Sequence, residues 1–136
     1  MSNILVVEDN VQVAKLFRDT LTRAAHQVVV KANGNEALQA LEQQAFDLVI
    51  TDIFMPEKDG LELIREIRAH KLDIKIIAIS GEGKSKAPLY LEMAKKLGAS
   101  RTLNKPLLRI MAEGENYETV QNLVRELKEE ISKQLA

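Results

Sequence analysis

Residues 48–60, LVITDIFMPEKDG, contain the clearest indication of the fold class. The first four are apolar or β-branched without interruption, as expected of a strand that is buried on both faces. Asp52 follows directly, and a proline and an Asp-Gly pair then predict a turn and the start of a helix. This stretch therefore predicts a parallel strand that ends in an aspartate.

The same unit of strand and helix recurs on both sides of that stretch. Further strands are predicted at residues 4–7, 28–30, 74–79 and 101–104. Between them, apolar side chains recur at helical spacing, with Asn10 as an N-cap and Gly98 as a C-terminal stop. Strands that alternate with helices imply right-handed parallel βαβ units, and hence one doubly wound α/β domain.

The composition is that of an ordinary globular domain. Hydrophobic residues make up 46% of the 136 residues, which is enough to cover both faces of a small sheet. A net charge of −1 provides no broad basic surface, so we expect no direct nucleic-acid partner. Cysteine is absent, which excludes disulfides and a cysteine nucleophile. The first apolar run stops at Glu8, too early for a signal peptide or a membrane span, so we expect a cytoplasmic protein.

Polar residues follow four of the five predicted strands. They are Glu8 and Asp9, then Asp52, then Ser80, and finally Lys105 with Pro106. Because parallel strands end at the same edge of a sheet, we expect these groups to form one shallow site. Hard carboxylate oxygens suit Mg²⁺, which would also offset their mutual repulsion. An ionised aspartate can attack phosphorus, and a lysine and a hydroxyl could balance and bind the phosphate oxygens.

Four blocks of the sequence resemble the signature motifs of response-regulator receiver domains of two-component signalling. The blocks are residues 6–10, residues 51–56 with Asp59 and Gly60, residues 78–81 and residues 104–106. They occur in the family's order, within a core of about 3–106. The resemblance implies a flavodoxin-like domain whose five-stranded parallel sheet has the order 2-1-3-4-5, with helices on both faces.

The resemblance also implies roles for the acidic residues. Asp52 would be the phosphoacceptor. Asp9, Asp52 and the backbone carbonyl of Phe54 would bind Mg²⁺ directly, with Mn²⁺ as a substitute, and Glu8 would act through water. Phe54 and Glu82 occupy positions that tune the phosphoryl lifetime in this family. Bulky Phe54 would obstruct the attacking water and Glu82 would help to orient it, so the two arguments oppose each other.

Four further positions have expected roles by the same resemblance. Ser80 would be the switch hydroxyl, and Lys105 would be the lysine that faces the phosphate. The peptide bond before Pro106 is commonly cis in the family, which only X–Pro bonds adopt cheaply. Thr102 departs from the pattern, because an aromatic residue usually stands there, and this departure puts the family's aromatic readout in doubt.

The C-terminal part also departs from the receiver pattern. Residues 107–116 form an expected connector, and a final helix is expected over about 117–135. That helix would carry an apolar seam at spacings of three and four: Tyr117, Val120, Val124, Leu127 and Ile131. We expect the seam to pack on the sheet, with pairing to a second chain as the alternative. The expected whole is one receiver domain without a DNA-binding output domain.

The leading functional prediction is a phosphorylation-dependent signalling switch. It would take phosphoryl groups from a histidine kinase or phosphotransfer protein, and catalyse its own phosphorylation and dephosphorylation without being a conventional enzyme. A downstream partner would bind the face of the fourth helix, fifth strand and final helix, on a monomer or a phosphorylation-dependent dimer. One alternative is an interaction module that never uses phosphate. Another is a Mg²⁺-dependent phosphatase or phosphotransferase, for which the sequence shows no separate general acid–base group.

Overall fold

The structure is a computed structural model that describes residues 2–53, 55, 58–70, 72–80, 87–104, 125, 129 and 131–135. The strands are β1 Asn3–Val7, β2 Gln27–Lys31, β3 Leu48–Asp52, β4 Lys75–Ser80 and β5 Arg101–Asn104. The helices are α1 Val11–Arg23, α2 Gly34–Gln43, α3 Gly60–Ala69 and α4 Ala87–Leu97. Residues 131–135 are also helical. Within this part of the chain, no helix is long and apolar enough to cross a membrane.

The five strands form one parallel sheet in the order β2-β1-β3-β4-β5. In the central register, Val6 lies opposite both Val30 of β2 and Ile50 of β3, and Ile50 lies opposite Ile77 of β4. The predicted doubly wound fold and strand order are confirmed. Strand β2 lies on one side of β1, whereas β3, β4 and β5 follow one another on the other side. The carboxyl ends of β1 and β3 therefore lie side by side at the point where the order reverses.

The core has two layers because alternate residues of each buried strand point to opposite faces. On one face, Ile4, Val6 and Ile50 pack with Phe17 and Leu21 of α1. Ile131 and Leu135 of the C-terminal helical segment join this cluster, and Ile131 is only 2% exposed. The prediction that the apolar seam packs on the sheet is thus confirmed at Ile131. The other seam positions and the connector 107–116 lie outside the described residues.

The second layer covers the other face of the sheet. It contains Leu5, Val7 and Val49 from the strands, packed with side chains from α2, α3 and α4 such as Ala37, Ile64 and Ala94. Both faces are therefore covered, which explains why the strands read as continuous apolar runs rather than as alternating ones.

Capping groups define where the helices begin and end. The side-chain oxygen of Asn10 accepts hydrogen bonds from two N–H groups in the first turn of α1, at 3.0 and 3.1 Å. Asn33 and Asp59 cap α2 and α3 in the same way, each with one bond of 2.9 Å. Gly98 ends α4 with a φ of 123°, a conformation that favours glycine. The predicted N-cap at Asn10 and stop at Gly98 are confirmed.

Candidate functional site

Three carboxylates meet at the carboxyl edge of the sheet. Glu8 and Asp9 follow β1, and Asp52 is the last residue of the neighbouring strand β3. One carboxylate oxygen from each lies within 4.8 Å of the others. Asp52 is fully buried and Glu8 is 2% exposed, whereas Asp9 is open to solvent. The structure thus brings together the three acidic residues that the sequence predicted to converge.

The position of Glu8 is set by backbone bonds on both sides. Its N–H donates to the carbonyl of Lys31 at 2.9 Å, which extends the pairing of β1 with β2 by one residue. Its Oε1 accepts from the N–H of Asn10 at 3.1 Å, immediately before α1. The bond from the Asn10 N–H therefore holds one Glu8 oxygen at the N-terminus of α1, where partly positive N–H groups favour an acceptor.

The backbone of Asp52 is held by its neighbours in the sheet. The residue pairs with Ile79 of β4, and the N–H of Ile53 donates to the Ile79 carbonyl at 2.9 Å. The Thr51 hydroxyl donates to the Asp52 carbonyl at 2.9 Å. Hydrogen bonds therefore fix the backbone at Asp52 and at Ile53 after it. The Asp52 side chain projects from a defined backbone position at the edge of the sheet.

The start of α3 packs directly against the backbone of Asp52. The N–H of Gly60 donates to the Ile53 carbonyl at 2.9 Å, which closes the segment between β3 and α3 at its base. A Cβ on Gly60 would lie 2.1 Å from the Asp52 carbonyl oxygen and 2.7 Å from the Ile53 Cα. Only glycine fits there. The sequence indicated a turn and a helix start at this position, but not the contact with Asp52.

The donor set of the acidic cluster fits a hard divalent cation. The three side chains provide carboxylate oxygens only, which are the ligands that Mg²⁺ prefers. Ionised carboxylates at such separations repel one another by a few kcal/mol at the effective dielectric constant of proteins. A bound dication would offset that repulsion. The exposed side at Asp9 would leave room for the waters that Mg²⁺ retains.

The other predicted site residues divide into two groups. Ser80 ends β4, one residue beyond the partner of Asp52, and Thr102 lies in β5 opposite Ala78. Both backbones are where the prediction placed them. The remaining predicted positions lie outside the described residues, so the roles given to them stay predictions: Phe54, Glu82, Lys105 and Pro106.

A groove beside the acidic cluster was missed by the sequence reasoning. It has a volume of about 550 Å³ and lies between α1, the end of β2 and the start of α2, with Glu8 and Asp9 in its wall. Val11, one of its lining residues, is 80% exposed. Val11 and Lys15 belong to the helical pattern of α1, so the sequence provided no separate signal. The groove connects the acidic cluster to solvent.

Comparison with known proteins shows the class to which this fold and site belong. The response regulator receiver domain family matches residues 4–112, and the chain belongs to this family. Membership makes the chain a receiver domain of two-component signalling, in general a phosphorylation-dependent switch. The predicted family is confirmed.

Individual relatives give the same result. The chain is 37% identical over 107 residues to a chemotaxis protein CheY homolog from Campylobacter jejuni, covering 76% of this chain and 80% of that protein. It is 34% identical over 79 residues to the probable C4-dicarboxylate response regulator DctR of Bacillus subtilis, covering 57% of this chain. That alignment spans only 35% of the Bacillus protein, about a third of its length.

A solved receiver structure has a similar fold. The response regulator protein TrrA from Thermotoga maritima, in complex with Mg²⁺ and BeF, superposes with a TM-score of 0.74 at 30% identity. The superposition covers 99% of this chain and 100% of that chain. A related receiver therefore holds Mg²⁺ on the same fold.

Proposed function

We propose that this chain is a phosphorylation-dependent signalling switch in which Asp52 accepts a phosphoryl group with the help of Mg²⁺. The observation that carries the proposal is the buried Asp52 carboxylate, whose oxygen lies within 4.8 Å of the Glu8 and Asp9 carboxylates. Two of the three carboxylates, those of Glu8 and Asp52, are buried beside the exposed Asp9, and this concentration of carboxylate oxygens suits a hard divalent cation.

In this proposal, Asp9, Asp52 and the backbone carbonyl of Phe54 hold the metal, and Glu8 acts through a water molecule. The metal supplies charge neutralisation on the transferring phosphoryl group. An oxygen of the Asp52 carboxylate forms the new bond to phosphorus while the bond between phosphorus and the donor breaks, and the leaving group keeps that electron pair.

The remaining site residues act on the phosphoryl group after transfer. Lys105 balances its charge, and the Ser80 hydroxyl donates to one of its oxygens, which couples β4 to the phosphorylation state. Hydrolysis of the acyl phosphate is catalysed by the same site, with Phe54 and Glu82 acting in opposite directions on the lifetime. The chain is in this sense a self-modifying switch rather than a conventional enzyme.

The proposed partners are a histidine kinase or phosphotransfer protein as donor and a downstream protein as receiver of the signal. The downstream face is formed by α4, β5 and the C-terminal helical segment. Leu89 and Met93 support this choice, because they lie one turn apart on α4 and are 53% and 39% exposed. Neighbouring apolar side chains on an exposed helix face are a common feature of protein-binding surfaces.

Intact-mass analysis after incubation with acetyl phosphate tests the proposal. We expect one added phosphoryl group on the wild-type protein, dependent on Mg²⁺ and absent from Asp52→Asn. Asp73→Asn is the matched control, because Asp73 is exposed and precedes β4 at the opposite edge of the sheet. No adduct on the wild type, together with no binding of beryllofluoride, would contradict the proposal and favour the interaction module that does not use phosphate.

A further inference from the structure

We propose that Asn10 is a positioning residue for the Mg²⁺ site, because the helix start that it caps holds the buried carboxylate of Glu8. The inference rests on the proposed function and gives Asn10 a second role, beyond starting α1. Glu8 is 2% exposed, whereas Asn10 is open to solvent. A short series of hydrogen bonds connects the capping side chain to the acidic cluster.

The Glu8 carboxylate is held by the backbone of Asn10. Its Oε1 accepts a hydrogen bond of 3.1 Å from the Asn10 N–H. The main chain of Glu8 is fixed separately, by the bond of 2.9 Å from its N–H to the Lys31 carbonyl. Because a carboxylate group is planar, a bond to one oxygen also restricts where the other oxygen can lie. The orientation of the Glu8 side chain therefore depends on the direction of the Asn10 N–H.

The side chain of Asn10 fixes the N–H that Glu8 uses. Its Oδ1 accepts from the N–H groups of Gln12 and Val13, at 3.0 and 3.1 Å. Its carbonyl accepts from the Ala14 N–H at 2.9 Å. These bonds hold Asn10 in the extended conformation of an N-cap, with a φ of −78° and a ψ of 115°. Without the side-chain oxygen, the first turn of α1 would loosen and the Asn10 N–H would lose its fixed direction.

Helices α2 and α3 provide a contrast to the start of α1. A glutamate at the third position of a helix can accept a hydrogen bond from the N–H of the capping residue. Glu36 and Glu62 occupy that position in α2 and α3, whereas α1 has Val13 there and no acidic residue in its first turn. In α1 the acceptor is instead Glu8, which precedes the helix and belongs to the acidic cluster. The cap of α1 is thus coupled to a residue of the proposed metal site.

This coupling orders Glu8 before the metal binds. In the proposed function Glu8 acts on Mg²⁺ through a water molecule, so its contribution depends on a defined position of its carboxylate. Groups that hold a metal-site residue in place raise the metal affinity, because a loose residue must be ordered on binding. Asn10 does not need to touch the metal. Its side-chain oxygen already accepts two hydrogen bonds, which use both of its lone pairs.

The experiment is a calorimetric titration of Mg²⁺ into the full chain carrying Asn10→Ala or Asn10→Ser. We expect Asn10→Ala to bind Mg²⁺ about tenfold more weakly than wild type, the lower end for groups that orient metal ligands. Asn10→Ser keeps a capping oxygen and should bind nearly as tightly as wild type. Asn33→Ala is the matched control, because it removes the cap of α2. It should lower the stability in urea by a similar amount and leave the Mg²⁺ affinity unchanged.

A double substitution separates positioning from direct contact with the metal. If Asn10 acts through Glu8, Asn10→Ala should weaken Mg²⁺ binding in the wild-type chain but not in a chain that already carries Glu8→Ala. If Asn10 contacted the metal or its water directly, the loss of affinity would be the same in both backgrounds. That second result would overturn the inference.

Asn10→Gly keeps the inference testable if Asn10→Ala does not fold by circular dichroism. Glycine removes the same oxygen but costs a helix start less than alanine does, so we expect a folded chain with weakened Mg²⁺ binding. Unchanged binding by the variants that lack the capping oxygen, no recovery in Asn10→Ser, or an equal loss in Asn33→Ala would overturn the inference alone. A wild-type chain that binds no Mg²⁺ would overturn the proposed function and, with it, this inference.

Discussion

Strand β3 has an aspartate at each end, and the structure places the two carboxylates in opposite environments. Asp47, just before the strand, is exposed, and its Oδ2 accepts a hydrogen bond of 2.8 Å from the Asn3 N–H. Its own N–H donates to the Asn3 carbonyl at 2.8 Å. Asp52, at the other end, is fully buried within 4.8 Å of two further carboxylates. Asp47 links two backbone segments at an exposed position, and Asp52 belongs to a cluster of three carboxylates.

The comparison shows that position at the sheet edge decides what an aspartate does. At the amino edge, solvent and a backbone donor satisfy the carboxylate of Asp47, which stabilises the local fold. At the carboxyl edge, Asp52 lies where β1 and β3 end side by side, so acidic groups from both strands converge. Ionised carboxylates this close together repel one another, and a bound cation would offset that repulsion.

The largest change in stability is expected from disrupting the contact between Gly60 and the backbone of Asp52. Gly60→Ala would place a methyl carbon 2.1 Å from the Asp52 carbonyl oxygen, where there is no space. We expect the free energy of unfolding to fall by about 3 kcal/mol, the upper range for overpacking at a rigid contact. Urea denaturation measures it. A loss below about 1 kcal/mol would show that the start of α3 can move away from Asp52 cheaply.

A pair of isosteric substitutions tests the comparison itself. Without Mg²⁺, Asp52→Asn should raise the free energy of unfolding by about 1 kcal/mol, because it removes one of three repelling carboxylates. Asp47→Asn should lower it by about 0.5–1 kcal/mol, because a charge-assisted hydrogen bond becomes a neutral one. Chemical denaturation of both variants at neutral pH provides the measurement. If both substitutions changed the free energy of unfolding in the same direction, the two carboxylates would not be in opposite electrostatic environments.

The smallest effect is expected at the amino edge, in the turn between α1 and β2. Ala25 has a φ of 69°, a conformation that costs free energy for any residue with a Cβ. Ala25→Gly should therefore stabilise the chain by about 0.5 kcal/mol and leave phosphoryl uptake unchanged. Ala24 has a φ of −85°, so Ala24→Gly is the control and should destabilise instead. A thermal-melting comparison distinguishes the two, and destabilisation by Ala25→Gly would contradict the strain at this turn.

Some features of the site were predictable from single stretches of sequence. Glu8 and Asp9 follow one apolar run, and Asp52 follows another. Because parallel strands share an edge, their meeting in space needed no knowledge of side-chain packing. The cap at Asn10 was equally local, since an N-cap depends on the residue and the few that follow it.

Other features had no local signal. Gly34 and Lys58 are far apart in the chain, and their contact depends on how closely α2 approaches the segment after β3. Arg68 illustrates the same limit, because its guanidinium donates to the carbonyl of Gly98 at 2.8 Å across 30 residues. Such pairs depend on the relative placement of whole elements, which a reading of periodicity and turn signals does not provide.

Short stretches of sequence were sufficient to predict the alternating α/β order, the parallel sheet and the acidic residues at its carboxyl edge. These follow from the pattern of apolar residues and from backbone geometry, which act over short stretches. The full burial of Asp52, the contact of Gly60 with its backbone and the attachment of Lys58 to two helices became evident only from the packed structure. The physical reason is that burial and close contact are properties of packed elements, and packing is settled only when distant parts of the chain come together.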